Sequence, residues 1–120
     1  MNITASEQVI MLDIDNTLVM SGEEEDHGAM AIRHPNTGQT LYVRPHLPHI
    51  RVVKERYARG AKIFAWSHGG YAWAAAVISL LGLDEYIHHV MSKPVMYIDD
   101  SNPESILGTR LYMREDDPYR

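Results

Sequence analysis

Asp13-Ile14-Asp15-Asn16-Thr17-Leu18 gathers the residues of this chain best suited to chemistry. Two carboxylates stand one residue apart, directly after the apolar run Val9-Ile10-Met11-Leu12. An apolar run ending in acids reads as a buried strand breaking into a loop, the edge at which open α/β sheets collect their ligands. Like charges repel there, and the strand end is partly desolvated, so the pair is unfavourable unless something offsets it. A divalent cation with a phosphate would do so. Asp13 would then be a nucleophile toward a phosphate ester. Mg2+, which favours hard oxygen ligands, would relieve the repulsion between carboxylate and phosphate dianion. Asp13, the main-chain carbonyl of Asp15 and one of Asp99 or Asp100 are the candidate ligands. The Asp15 side chain would protonate the leaving alkoxide and later activate water against the aspartyl-phosphate. Ser67 and nearby N–H groups would hold phosphoryl oxygens, with His68 at the rim and Lys93 neutralising the charge that develops. Asn16 and Thr17 are further candidates for phosphate contact.

Each feature also has a plainer reading. Asp-x-Asp alone suits a loop turn or a weak calcium site, Ser67 a helix cap, and Lys93 an ordinary surface lysine. The seven histidines show no metal-ligand spacing on one helix face, which points to surface or capping roles. Trp66 and Trp73 read most simply as core or rim aromatics, and the acidic run Glu23 to Asp26 as a solvated loop.

The elements that must position these groups follow from periodicity. The first strand covers about Gln8 to Asp13, and a polar loop runs from Val19 to His27. Ala29–Arg33 and Thr40–Arg44, separated by a Pro/Asn/Gly turn, predict a hairpin. Pro45 or Pro48 opens a helix to about Arg59, with Leu47, Ile50, Val53 and Tyr57 as its apolar face and Gly60 ending it. Ala61–Trp66 is a second core strand, broken by Ser67-His68-Gly69-Gly70. A helix then spans about Tyr71–Leu81, with Tyr71, Ala74, Ala75, Ile78 and Leu81 on one face. Val95–Ile98 predicts a third core strand running into Asp99-Asp100, Pro103–Leu107 a helical turn, and Thr109–Met113 a last strand before a fraying acidic tail. Alternating strands and helices predict a parallel sheet with right-handed crossovers. Three strands would then deliver Asp13 and Asp15, Ser67, and Asp99 and Asp100 to one edge. That convergence outweighs any single motif.

Composition bounds the rest. At 120 residues, the chain suits a single domain, 1–120, with one core. Its net charge of −5 argues against a broad nucleic-acid-binding surface. With no cysteine, disulfides, thiolate metal sites and cysteine nucleophiles are excluded. The polar start shows no signal peptide, and no stretch approaches the roughly 20 apolar residues of a membrane span. The expectation is a cytoplasmic protein with no membrane partner; its oligomeric state is left open.

In order and spacing, the Asp13–Leu18 motif, Ser67 after an apolar strand, Lys93 and Asp99-Asp100 resemble the four motifs of the haloacid dehalogenase superfamily of phosphohydrolases. Within it the chain is most similar to phosphatases of the RNA polymerase C-terminal-domain type. Arg44-Pro45-His46 after the hairpin, Tyr71-Ala72 in the helix after Ser67, and Asp99-Asp100-Ser101-Asn102-Pro103 carry that likeness. It implies a Rossmann-like α/β fold with a β-hairpin flap after the first strand and no large cap domain, for which the stretch before Arg44 leaves no room. It further implies Mg2+-dependent hydrolysis of a phosphomonoester through Asp13, with Asp100 as metal ligand and Asp99 supporting it. The chain departs from the pattern at Ala65-Trp66-Ser67, where Thr-Ala-Ser is usual, at Asn16, where glycine or glutamate is commoner, and in the compressed segment from Lys93 to Asp99. The phosphorylated substrate could be a small molecule, a nucleotide or a macromolecular end. Arg33, Arg44 and Arg51 near the hairpin keep a polynucleotide end in view. A non-catalytic phosphate-sensing module is the remaining alternative.

Overall fold

Val9–Asp13 forms strand β1, as its apolar run dictates, and Lys62–Ser67 forms β5 beside it in parallel register, Asp13 facing Trp66. These assignments come from a computed structural model that describes residues 8–117. The readings made for the first seven residues and for residues 118–120 lie outside it. Between the two strands come β2 (Val19–Gly22), β3 (Met30–Arg33), β4 (Thr40–Pro45) and helix α1 (Leu47–Ala58). The predicted hairpin is β3–β4, and Val19–Gly22, expected as loop, adds to it as an antiparallel third strand in the order β2-β4-β3. Val19 is buried, which gives that strand an inward anchor. The acidic run after it stays exposed, with Asp26 accepting from the Glu23 N–H at 2.8 Å.

Helix α1 opens with Pro48 in its first turn, a position that needs no N–H donor. Gly60 follows its end at φ +93°, a conformation costly for any side chain. The buried face is Pro48, His49, Ile50 and Val53; Leu47 and Tyr57, expected inside, lie exposed. Helix α2 (Tyr71–Leu80) likewise buries Trp73, Ala74, Val77 and Ile78 and leaves Tyr71 in solvent.

The third strand is not the one the apolar pattern predicts. It is β6, His89–Ser92, which pairs in parallel with β5 and completes the order β1-β5-β6. A single 3₁₀ turn, Asp84–Tyr86, feeds it. His88 starts the pairing: its N–H donates to the Ile63 carbonyl at 2.8 Å, and its Nδ1 accepts from the Ile63 N–H at 3.0 Å. Val95–Ile98 has no strand partner, and its side chains are exposed. Central strand β5 has both edges taken, by β1 and β6, and Pro94 has no N–H with which to extend the β6 ladder. Pro103–Ile106 is the expected short helix, α3. Thr109–Met113, expected as a last strand, joins no sheet. The core gathers Leu12, Ile14 and Leu18 around β1 with Ile63, Ala65, Val77, Ile78 and Leu83. Burial of this apolar set supplies the main drive to bring the strand ends together.

Candidate active site

Parallel pairing carries the C-terminal ends of β1, β5 and β6 to one edge, and with them Asp13, Ser67 and Lys93. Ser67 faces Ser92 in the register, and the Lys93 N–H donates to the Ser67 carbonyl at 2.9 Å. The Lys93 side chain then reaches past β5 to β1: its Nζ lies 3.0 Å from Asp13 Oδ1 and 5.9 Å from the centre of the Trp66 ring. The other Asp13 oxygen, Oδ2, accepts from the Thr17 hydroxyl at 2.9 Å.

The loop that makes this possible is a tight turn over a buried residue. Ile14 is fully buried, and its carbonyl accepts from the N–H groups of Thr17, Leu18 and Val19 at 3.2, 2.8 and 3.3 Å. Asn16 sits at φ +64°, the left-handed region that asparagine tolerates far better than most side chains. Asparagine thus suits the backbone conformation this turn requires. Its carbonyl accepts from the Tyr112 hydroxyl at 2.8 Å.

Ser67 is buried, its Oγ accepting from the Gly69 N–H at 2.9 Å, while His68 beside it is exposed. The first turn of α2 is served by another serine, since the Tyr71 N–H donates to Ser92 Oγ at 2.9 Å. No apolar pattern flagged that contact. Asp15 points its carboxylate at Trp73, whose Nε1–H donates to Oδ1 at 3.0 Å and Oδ2 at 3.2 Å. A cleft of about 340 Å³ opens alongside, between this loop and the flap, lined by Asp15, Asn16, Val19, Leu41, Tyr42 and Trp73.

A strap closes the back of the loop. His49 Nδ1–H donates to the Thr17 carbonyl at 2.8 Å, and its Nε2 accepts from the Met113 N–H at 2.8 Å. His46 caps α1 by accepting from the His49 N–H at 3.3 Å, and its Nε2–H donates to the Met113 carbonyl at 3.0 Å. The two rings stack 3.9 Å apart. The capping role of His46 falls within the surface or capping roles expected of the histidines; the burial of both rings does not. Burial holds the His49 imidazole below its usual pKa; the Thr17 carbonyl pulls it up, and neighbouring His46 adds to the lowering. Arg44 fastens the strap further on, 2.7 Å from Glu115, so the tail is anchored at that point.

Among the described residues, Asp99 and Asp100 share no hydrogen bond or ion pair with Asp13, Ser67 or Lys93. They follow the exposed Val95–Ile98 segment and turn inward on their own neighbour: Asp99 accepts from the Ser101 N–H at 2.8 Å and Asp100 from its hydroxyl at 3.3 Å. Among the described residues no three histidine, aspartate or glutamate side chains lie together in a way that could hold a metal ion. The third strand delivers Lys93 to the edge rather than the paired acids.

A model of the NLI interacting factor-like phosphatases matches residues 8–106, from β1 through the flap, Ser67, Lys93 and Asp99-Asp100 to the end of α3. The chain belongs to that family. It is thus a phosphatase of the haloacid dehalogenase type, with an α/β fold, a parallel sheet flanked by helices and a flap in place of a large cap. No curated protein and no solved structure matches it. The family implies a phosphorylated substrate, and phosphatases of this type generally use a divalent metal. Among the described residues of this phosphatase, no helix is long and apolar enough to cross a membrane.

Proposed function

We propose that this phosphatase hydrolyses phosphomonoesters through a phospho-aspartate on Asp13, depends on Mg2+, and works in the cytoplasm with residues 1–120 as one domain. The observation that carries this reading is the Asp13 carboxylate at the end of β1, held by Lys93 at 3.0 Å and by the Thr17 hydroxyl at 2.9 Å. An ammonium beside the carboxylate offsets the repulsion that a phosphate dianion would otherwise meet. Asp13 Oδ attacks phosphorus, the ester P–O bond breaks, and Asp15 gives its proton to the departing oxygen. Water then attacks the phospho-aspartate, its proton passes to Asp15, and Asp13 is released with inorganic phosphate. Ser67, His68, Asn16 and Thr17 are the proposed phosphate contacts.

Asp13, the Asp15 carbonyl and Asp100, with Asp99 behind it, are the proposed magnesium ligands. The ion, when bound, would supply charge neutralisation and orientation of the phosphate. The test is hydrolysis of an aryl phosphate with magnesium, with EDTA, and by Asp13→Asn. Loss of activity under both treatments is expected. Turnover that survives both overturns the mechanism, and a stable phospho-aspartate without turnover would make the protein a phosphate sensor instead.

A further inference from the structure

Trp73 has no assigned part in the chemistry above, yet it is the residue that holds the Asp15 carboxylate. Its indole is only 6% exposed, and its Nε1–H reaches both Asp15 oxygens, at 3.0 and 3.2 Å. From the flap, His34 stacks on the indole with ring centres 5.1 Å apart and planes within 15°. Gly69 leaves the ring its seat: a Cβ there would come within 3.1 Å of Trp73 Cδ1 and 3.3 Å of Ser67 Oγ. The indole is thus fixed by the α2 backbone, by the flap and by a glycine, and its one polar atom is spent on Asp15.

We infer that Trp73 is a positioning residue for Asp15, an inference that rests on the proposed role of Asp15 as acid and base. Indole N–H donates and cannot accept. It therefore fixes the plane and orientation of the Asp15 carboxyl group, with Oδ1 the nearer acceptor at 3.0 Å and Oδ2, at 3.2 Å, the oxygen left to carry the proton. As the Asp13–phosphorus bond forms and the ester bond breaks, that proton goes to the leaving oxygen. When water cleaves the phospho-aspartate, a proton returns to the same site. A carboxylate free to rotate would present its proton in the wrong place for part of the time, and small misplacements of catalytic groups cost large factors in rate. The His34 stack makes the flap part of the same assembly.

The experiment compares kcat/KM on p-nitrophenyl phosphate, whose leaving group needs no proton, with an alkyl phosphate, whose leaving group does. Asp15→Asn should lose far more on the alkyl ester. Trp73→Phe should show the same bias, losing about 10- to 100-fold on the alkyl ester against a few-fold on the nitrophenyl ester. Adding Trp73→Phe to Asp15→Asn should change neither substrate much further. Equal losses on both esters by Trp73→Phe would mean a packing role only and overturn the inference. If Asp15→Asn itself shows no bias, the acid assignment fails and takes this inference with it. If Asp15→Asn shows the bias and Trp73→Phe does not, the inference alone fails. A second readout leaves Trp73 in place. In Asp15→Asn the Trp73 indole N–H resonance should move upfield, with Trp66, the other of two tryptophans, as internal reference. An unmoved Trp73 signal would also overturn it.

Discussion

Two stretches of this chain carry nearly the same message and meet opposite fates. Val9-Ile10-Met11-Leu12-Asp13 and Val95-Met96-Tyr97-Ile98-Asp99 are each four apolar residues closed by an aspartate. The first is strand β1, paired along its length with β5, and its Leu12 is 7% exposed. The second is unpaired, with Ile98 at 95%. Asp13 consequently sits among Lys93 and Thr17, whereas among the described residues Asp99 and Asp100 bond to their own turn at Ser101. An apolar run followed by an acid thus defines a candidate strand end. Whether it becomes an active-site edge depends on whether the rest of the chain brings it alongside a partner strand.

The contrast is most sharply tested on the two acids. Asp13→Asn should lower kcat/KM by about 10⁴-fold or more at any magnesium concentration, since the nucleophile is gone. Asp100→Asn should lower it by about 10²-fold, with part of the loss recovered as magnesium is raised, as befits a ligand rather than a nucleophile. A fully active Asp100→Asn would leave the exposed segment outside the chemistry altogether. Stability separates the two runs next. Leu12→Ala should cost about 2–5 kcal/mol in urea unfolding, and Ile98→Ala within about 0.5 kcal/mol. If Ile98→Ala costs more than about 1.5 kcal/mol, the second run is packed in solution and the comparison collapses.

The smallest effect concerns the strap that follows the exposed segment. The folded-state pKa of His49 is lowered, chiefly by burial. An unfolded imidazole titrating near its ordinary value of about 6.5 would take up a proton that the folded one resists. Stability should therefore be fully present above about pH 6.5 and decline as the pH falls below it. Urea midpoints measured from pH 8 to 5 should show this fall, with a shallower slope in His49→Gln. A slope identical in both proteins would remove His49 from the account.

Much of the architecture can be read without coordinates. The apolar runs of β1 and β5, the Pro/Asn/Gly turn of the hairpin, Pro48 and Gly60 bracketing α1, and the glycine break before α2 are local signals with local causes. So is the Asp13–Leu18 loop, because alternating strand and helix already place it at the carboxyl edge of a parallel sheet. Strand β6 was hidden because His-Val-Met-Ser offers only two apolar residues and is held by the His88 and Lys93 ends of its ladder. Trp73 looked like a core aromatic because burial and a polar contact are indistinguishable in a one-dimensional pattern. His46 and His49 looked like surface residues because their partners, the backbones of Thr17 and Met113, are far away in sequence.

By itself, then, the amino-acid order determined the groups on offer: an aspartate at a strand end, a second acid two residues on, a serine, a lysine and the strands to present them. Only the tertiary structure decided which of these meet. Lys93 reached Asp13 and the indole of Trp73 reached Asp15, while Asp99 and Asp100 stayed with Ser101. The physical reason is that strand-forming tendency is a property of a few consecutive residues. Pairing instead needs a partner strand brought alongside, and that is set by the whole chain.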